Sequence, residues 1–320
     1  MRQRTFGRTG WQVGEVGYGT WGMGEWSGSD DEESRASLEL AVSKGVNFFD
    51  TAQSYGGGHS ERLLSPLLAR HRGGVFIATK VPPKNGEWPS RPGVPLGEVF
   101  PSAYVRESVD ISRSNLGVEA IDLLQLHVWD DNWLAGGELQ ETVAQLKKEG
   151  SIRAFGISLN RREPWNGVGA VRSGLVDAVQ VVYNVFDQAA QDELFRTCRE
   201  NGVAAIARCP FDEGSLIGNL TLQTTWPEGD WRGKYFEPEN LAQSVARADA
   251  LKPLVPAGMT LADMALRFIL SNPDVSAVIP GMRKAGHVET NTAASDAGPL
   301  PPDLLAELRH HRWDRATKKR

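Results

Sequence analysis

The chain has 320 residues, 40% of them hydrophobic and 23% charged, which supplies a packed core and excludes a disordered chain. A formal net charge of -5 excludes a nucleic-acid binder that relies on a global positive field. No run of about 18 apolar residues occurs, so no membrane contact by a spanning helix is expected.

The first residues, "MRQRTFGRTGWQVG", lack an apolar stretch and do not read as a secretory signal. Two cysteines, Cys198 and Cys209, make no disulfide framework, so a cytoplasmic protein is expected. "EVGYGTW" predicts a first strand ending at Trp21. A helix start follows at Ser29, where Glu32 stands three residues on, as in a capping box. Leu38, Ala41 and Val42 share one face of that helix, and Gly45 ends it. "NFFDTA" and "SERLLSPLLARH" form the next strand and helix, then "VFIATK" and "AYVRESVDISRSNLG". "IDLLQLH" is the fourth strand, and its helix carries Leu139, Val143 and Leu146 to Gly150. "IRAFGIS", "AVQVVYN", "GVAAIAR" and "SAVIPG" are the fifth to eighth strands.

Eight strand–helix units in a chain of this size predict an α/β fold, a (β/α)8 TIM barrel, as a single domain over 1–320. The strands are continuous apolar runs, as parallel strands covered on both faces are. Long loops follow strands 3 and 7, where a barrel builds its site. The basic tail, about 309–320, reads as a solvated run. "GYGTWG", Gly17 to Gly22, matches the dinucleotide fingerprint, but no helix opens at its last glycine. It reads instead as a strand end passing close to another part of the chain.

Functional side chains of such a barrel gather where strands end. Asp50, Lys80 and His127 end three consecutive strands, and Tyr55 lies just beyond the first of them. Each alone has a plain structural reading, as a turn residue, a surface lysine, a core histidine or a loop ring. Together they form a proton-transfer set. A free tyrosine, pKa about 10, is a poor acid near neutrality. A nearby ammonium favours the tyrosinate and lowers that value, and Asp50 keeps a buried Lys80 charged. His127 can orient a substrate oxygen by a hydrogen bond.

The segments "FDTAQSYGGGHSE", "IATK", "DLLQLH", "GISLN", "VQVVYN" and "VIPGMRKAGHVETN" resemble the aldo-keto reductases, in order and across nearly the whole chain. "FGRTGWQVGEVGYGTWGMG" resembles that family's N-terminal β-hairpin and first strand. The resemblance implies NAD(P)H-dependent reduction of a carbonyl substrate to its alcohol, with Asp50, Tyr55, Lys80 and His127 catalytic and Tyr55 the acid. It implies that Ser158, Asn160 and Gln180 hold the nicotinamide carboxamide, although Leu159 separates a serine and asparagine that the family usually has adjacent. Arg208 stands where the family usually stacks an aromatic ring on the nicotinamide. Thr20, Trp21, Pro210, Gly214 and Leu216 are further cofactor positions, the last three in the segment that folds over the pyrophosphate. Asp212 and Glu213 in that segment do not suit phosphate and are expected to hold the loop by other bonds. Gly281, Arg283, Lys284, His287 and Asn291 open the helix that binds the adenosine 2′-phosphate, which implies NADPH/NADP+, with NADH as the alternative.

Trp21, Trp129 and Trp88 are candidate substrate walls. No metal is expected, since the six histidines show no ligand spacing. A homo-oligomer stays open. Two other functions also stay open: a cofactor-sensing binding subunit on the same fold, and a Schiff-base aldolase using Lys80.

Overall fold

The computed structural model describes residues 1–24, 26 and 28–313. An antiparallel hairpin opens the chain, β1 (Gln3–Phe6) pairing with β2 (Trp11–Gly14). Gly10 turns it at φ 73°, in the left-handed region where glycine has no steric penalty.

Eight parallel strands follow, alternating with helices: β3 (Tyr18–Gly19), α1 (Asp31–Ser43), β4 (Phe48–Asp50), α2 (His59–Arg70), β5 (Phe76–Val81), α3 (Leu96–Val99) and α4 (Ser102–Leu116). Next come β6 (Ile121–Leu126), α5 (Glu138–Lys148), β7 (Ile152–Ser158), α6 (Val168–Arg172), β8 (Ala178–Val182), α7 (Leu194–Glu200) and β9 (Ala204–Arg208). The chain ends with α8 (Arg232–Tyr235), α9 (Pro238–Leu251), α10 (Leu261–Leu270), β10 (Ala277–Val278), α11 (Ala285–Ala297) and α12 (Pro302–Arg309).

The sheet runs in sequence order from β3 to β10. It closes on itself through parallel bridges from Val16 to Val278 and from Gly19 to Gly281. The closure explains the glycines of "GYGTWG". A Cβ on Gly19 would lie 2.7 Å from the Ile279 carbonyl oxygen, and one on Gly17 2.9 Å from the Phe48 ring. Glycine at 19 lets the first and last strands approach this closely, and glycine at 17 makes room for Phe48 of the adjoining strand, so the motif serves barrel packing and closure.

The architecture is thus a (β/α)8 barrel with an N-terminal hairpin. Strand-start residues, mostly small (Ala78, Ala154, Ala178, Ala204, Ala277), pack with Phe6, Val13 and Phe48 as an apolar floor. Phe6 contacts both Trp11 and Phe48, so the hairpin covers that end. The larger core lies mainly between strands and helices. The opposite end, where the strands finish, is left for the long loops.

Three local expectations are corrected. β3 ends at Gly19, and Trp21 begins a 3₁₀ turn, Trp21–Met23, because the backbone is released once closure is made. The cap of α1 is Asp30, not Ser29: its carboxylate accepts from the Glu33 N–H, one residue later than the sequence pattern placed it. The basic tail is docked at its start. Arg312 pairs with Asp192, and the Trp313 N–H donates to the Phe186 carbonyl at 2.8 Å while Arg247 lies over its ring. Residues 314–320 lie outside the described residues.

Candidate active site

Lys80 points into the barrel from β5, in register with Gln125 of β6. It is fully buried. Its Nζ donates to Asp50 Oδ1 at 2.5 Å, to the Thr51 carbonyl at 2.7 Å and to the Tyr55 hydroxyl at 3.4 Å. Burial opposes the ammonium charge, but Asp50 and then Tyr55 outweigh it and hold the Lys80 pKa above its ordinary value. A charged amine is no nucleophile, which removes the physical basis for Lys80 as a Schiff-base residue.

Asp50 ends β4 and is itself buried. Its second oxygen accepts from Gln180 Nε2 at 2.8 Å and from Gln125 Nε2 at 3.2 Å. Three donors therefore surround one carboxylate, which is how a buried charge is kept in an apolar barrel. Gln180 engages one half of its amide here: its NH2 group is bonded to Asp50 and Gln125. Gln125 was missed in the sequence, although a glutamine inside the apolar run "DLLQL" is a signal that something polar must meet it.

Tyr55 sits on the loop after β4. A Cβ on Gly24 would lie 2.8 Å from the Tyr55 carbonyl carbon, so Gly24 lets the entry loop pack directly on the tyrosine backbone and fix it. The Tyr55 ring meets His127 edge-on at 5.7 Å between centroids, and His127 meets Trp88 at 4.5 Å. His127 Nδ1 lies 3.4 Å from Ser54 Oγ. Burial, then the charges of Lys80 and Arg208, push the His127 pKa well below its ordinary value, so the imidazole is neutral. The Tyr55 pKa is raised: burial outweighs the lowering by Lys80, and Asp50 adds to the rise. The expected lowering by the ammonium is present, but it is not the net effect. Burial and Asp50 together thus favour the protonated phenol.

The other strand ends bring Ser158, Gln180 and Arg208 side by side, through the registers Ser158 to Gln180 and Val182 to Arg208. Ser158 is buried. Asn160 Nδ2 donates to the Trp129 carbonyl at 3.2 Å and to Glu163 at 3.0 Å, while its Oδ1 is buried without a partner. Arg208 Nη2 donates to the Leu159 carbonyl at 3.0 Å, and its Nε is also buried without a partner.

The segment after β9 takes unusual backbone angles. Cys209, Asp212 and Glu213 have φ of 53°, 45° and 57°, and Gly214 has φ 114°. Pro210 and Leu216 are buried in it. Arg161 fastens it, donating to Glu213 and, at 2.7 Å, to the Tyr235 hydroxyl, which donates in turn to Asp212 at 2.8 Å. Ser215 also donates to Asp212. The two acids thus hold the loop. At α11, Arg283 Nη1 donates to the Gly22 carbonyl at 2.8 Å and Lys284 Nζ lies 3.8 Å from Glu33. His287 is exposed and Asn291 is buried, while a Cβ on Gly281 or Gly286 would meet nothing within 4 Å. Thr20, fully buried, donates to the Asp50 carbonyl at 3.0 Å, tying the first strand's end to the second.

Of the three tryptophans expected at the mouth, Trp21 and Trp88 are 39% and 44% exposed. Trp21 meets Trp26 and Trp231 edge-on, at 4.4 and 6.0 Å. Trp129 is corrected: it has no exposed surface, packs on Trp133 and donates its indole N–H to Asp131 at 2.7 Å. It is a core residue and does not wall a pocket. Among the described residues, no group of three or more potential ligands is placed to hold a metal ion, and no helix is long and apolar enough to cross a membrane.

The family model described as "Aldo/keto reductase family" matches residues 15–312. An NADH-specific methylglyoxal reductase of Escherichia coli (strain K12) is 29% identical over 308 residues, spanning 92% of this chain and 93% of its own. The solved holo structure of an aldo-keto reductase from Bacillus halodurans superposes with a TM-score of 0.76 at 24% identity, covering 100% of this chain and 99% of that one. An aldo-keto reductase from Klebsiella pneumoniae in complex with NADPH gives 0.72 at 22% identity, covering 99% of each chain.

Proposed function

The chain belongs to the aldo/keto reductase family, oxidoreductases acting on carbonyl groups, and from that premise we propose that it reduces an aldehyde or ketone to the alcohol with Tyr55 as general acid. The observation that carries the reading is the buried Asp50–Lys80 pair with the Tyr55 hydroxyl 3.4 Å from Nζ. The barrel spans the chain as one domain. Its two free thiols fit a reducing compartment, the cytoplasm.

The residues present suit a nicotinamide cofactor. Asn160 Oδ1 is a buried acceptor with no donor, and a carboxamide N–H supplies one. Ser158, Gln180 and Arg208 stand on the same and neighbouring strand ends. Gly214, left-handed and open on its Cβ side, suits a backbone close to pyrophosphate; Pro210 and Leu216 are buried in the same segment, and Thr20 and Trp21 follow the end of β3. Gly281, Arg283, Lys284, His287 and Asn291 lie at the start of α11, and a helix N-terminus with cations favours phosphate. This supports NADPH over NADH.

The bound reduced nicotinamide supplies the hydride. The chain supplies position and a proton. Neutral His127, with Nδ1 toward Ser54, donates from Nε2 to the carbonyl oxygen. As negative charge builds on that oxygen, Tyr55 passes its proton to it, and the Lys80 ammonium stabilises the tyrosinate left behind. Asp50, held by Gln125 and Gln180, keeps Lys80 charged throughout. Trp21 and Trp88 flank the entry and suit apolar or planar carbonyl compounds.

The test is titration of tryptophan fluorescence with NADPH and NADH, followed by NADPH consumption over a panel of aldehydes and ketones. Tighter binding of NADPH with turnover is the expected result. Binding of neither nucleotide overturns the assignment.

A further inference from the structure

Two half-buried arginines near this site have different surroundings. Arg161 faces Glu213, with Asp212 3.9 Å away, so its charge is met by two carboxylates. Arg208, at the end of β9, makes no ion pair among the described residues. Its contacts are the Leu159 carbonyl and, at 3.4 Å, the Cys209 sulfur, and its Nε–H is buried with no acceptor.

The other groups around it form no direct pair with it among the described residues. Asp50 is matched by Lys80 at 2.5 Å. Tyr55 keeps its proton and His127 is neutral, since both pKa shifts favour the uncharged form. Burial, with Glu213 adding, pushes the Cys209 thiol up, so it too is uncharged. Among the described residues of this cluster, Arg208 is therefore a guanidinium with no carboxylate bonded to it, the nearest acid, Glu213, standing beyond the Cys209 thiol. That charge reaches the reacting groups, since it lowers the pKa of both His127 and Tyr55.

Its location decides what it acts on. Arg208 is bonded to Leu159, the residue between Ser158 and Asn160, and lies two strands beyond the one that carries Ser158, with Gln180 on the strand between. A ring whose carboxamide is held by Ser158 and Asn160 has Arg208 as its neighbour. The oxidised nicotinamide ring carries a positive charge and the reduced ring does not, while the rest of the nucleotide is the same in both.

We propose that Arg208 is a redox-discriminating residue, whose unpaired guanidinium weakens binding of the oxidised cofactor relative to the reduced one. This rests on the nicotinamide reading of the site. In the reductive direction the effect speeds departure of the spent nucleotide. It also makes the bound oxidised cofactor a stronger hydride acceptor than the free one, shifting the equilibrium on the enzyme toward the carbonyl compound.

The measurement is the ratio of dissociation constants, NADP+ over NADPH, by tryptophan fluorescence quenching. It is made on the wild type and on Arg208→Gln, Arg208→Tyr and Arg208→Lys, with circular dichroism as the check on folding. Each variant's ratio cancels general damage to the nucleotide site. Two like charges about 4 Å apart, partly screened, repel enough to change such a ratio on the order of tenfold. The wild-type ratio is expected to exceed one, to fall about tenfold in the two neutral variants, and to be retained in Arg208→Lys. The same ratio in wild type and in either folded neutral variant overturns the role of Arg208 and leaves the cofactor assignment intact. Failure of the wild type to bind either nucleotide overturns the cofactor assignment itself.

Discussion

Replacing Asp50 by Asn separates the two roles of the buried pair. Lys80 has no exposed surface and its Nζ is 2.5 Å from Asp50 Oδ1. The substitution leaves an ammonium in the barrel with only the Thr51 carbonyl, the Tyr55 hydroxyl and a neutral amide around it. It also sets a new amide against the Gln125 and Gln180 Nε2 donors, which now face Asp50 at 3.2 and 2.8 Å. Removing one partner of a buried pair costs about 3–5 kcal/mol. We expect the lower end, about 3 kcal/mol, because Lys80 escapes part of the penalty by losing its proton. That loss has a chemical consequence: a neutral amine no longer stabilises a tyrosinate, so Tyr55 becomes a weaker acid and kcat falls about 100-fold. Urea unfolding at pH 7 reads the first effect and steady-state reduction of a carbonyl substrate the second. The double substitution Asp50→Leu with Lys80→Met is expected to be more stable than either single one, since it removes both buried charges. An Asp50→Asn protein within about 1 kcal/mol of wild-type stability and with full kcat would refute the reasoning.

Other outcomes follow from the same contacts. Gln180→Leu strips the 2.8 Å bond from Asp50 and is expected to cost about 1.5–3 kcal/mol in urea unfolding, more than Gln125→Leu with its 3.2 Å bond. The His127 pKa is depressed, so its contribution to stability is present above its ordinary value, about 6.5, and is lost as pH falls through the folded value. Melting curves from pH 7 to 5 should show that loss, and His127→Asn should remove it. The Lys80 and Tyr55 pKa values are raised, so their contributions hold below about pH 10 and are lost above it, which alkaline melts will show. Glu213→Gln breaks the ion pair with Arg161 that holds the strained segment after β9, and stopped-flow fluorescence should show nucleotide release about tenfold faster.

Much of this was legible in the sequence because a barrel converts order along the chain into position. An apolar run ending in Asp50, Lys80 or His127 specifies a side chain at the strand-end face, and the structure gathers all three around Tyr55. The rest depended on contacts that no local pattern encodes. Gln180 meets Asp50 across 130 residues, and the NH2 half of the amide that a strand-end reading gives to a ligand is drawn to the Asp50–Lys80 pair. Trp129 misled because it stands two residues from His127, which in a strand puts both on one side. β6 ends at Leu126, however, and beyond it the alternation no longer holds. The Ser29 cap failed by one residue because serine and aspartate are equally good caps and two stood together. The clasp of Arg161 on Glu213 and Tyr235 joins two loops whose sequences predict no partner for each other. The sign of the Tyr55 shift turns on burial, which only the packed loop reveals.

The reductase reading stands or falls most directly on Tyr55→Phe. The variant removes one oxygen atom and leaves the Asp50–Lys80 pair in place. Single-turnover consumption of NADPH, with a carbonyl compound that the wild type reduces, should slow about 100- to 10,000-fold while NADPH binding is unchanged. A Tyr55→Phe protein that binds NADPH and turns over at the wild-type rate would contradict Tyr55 as the acid.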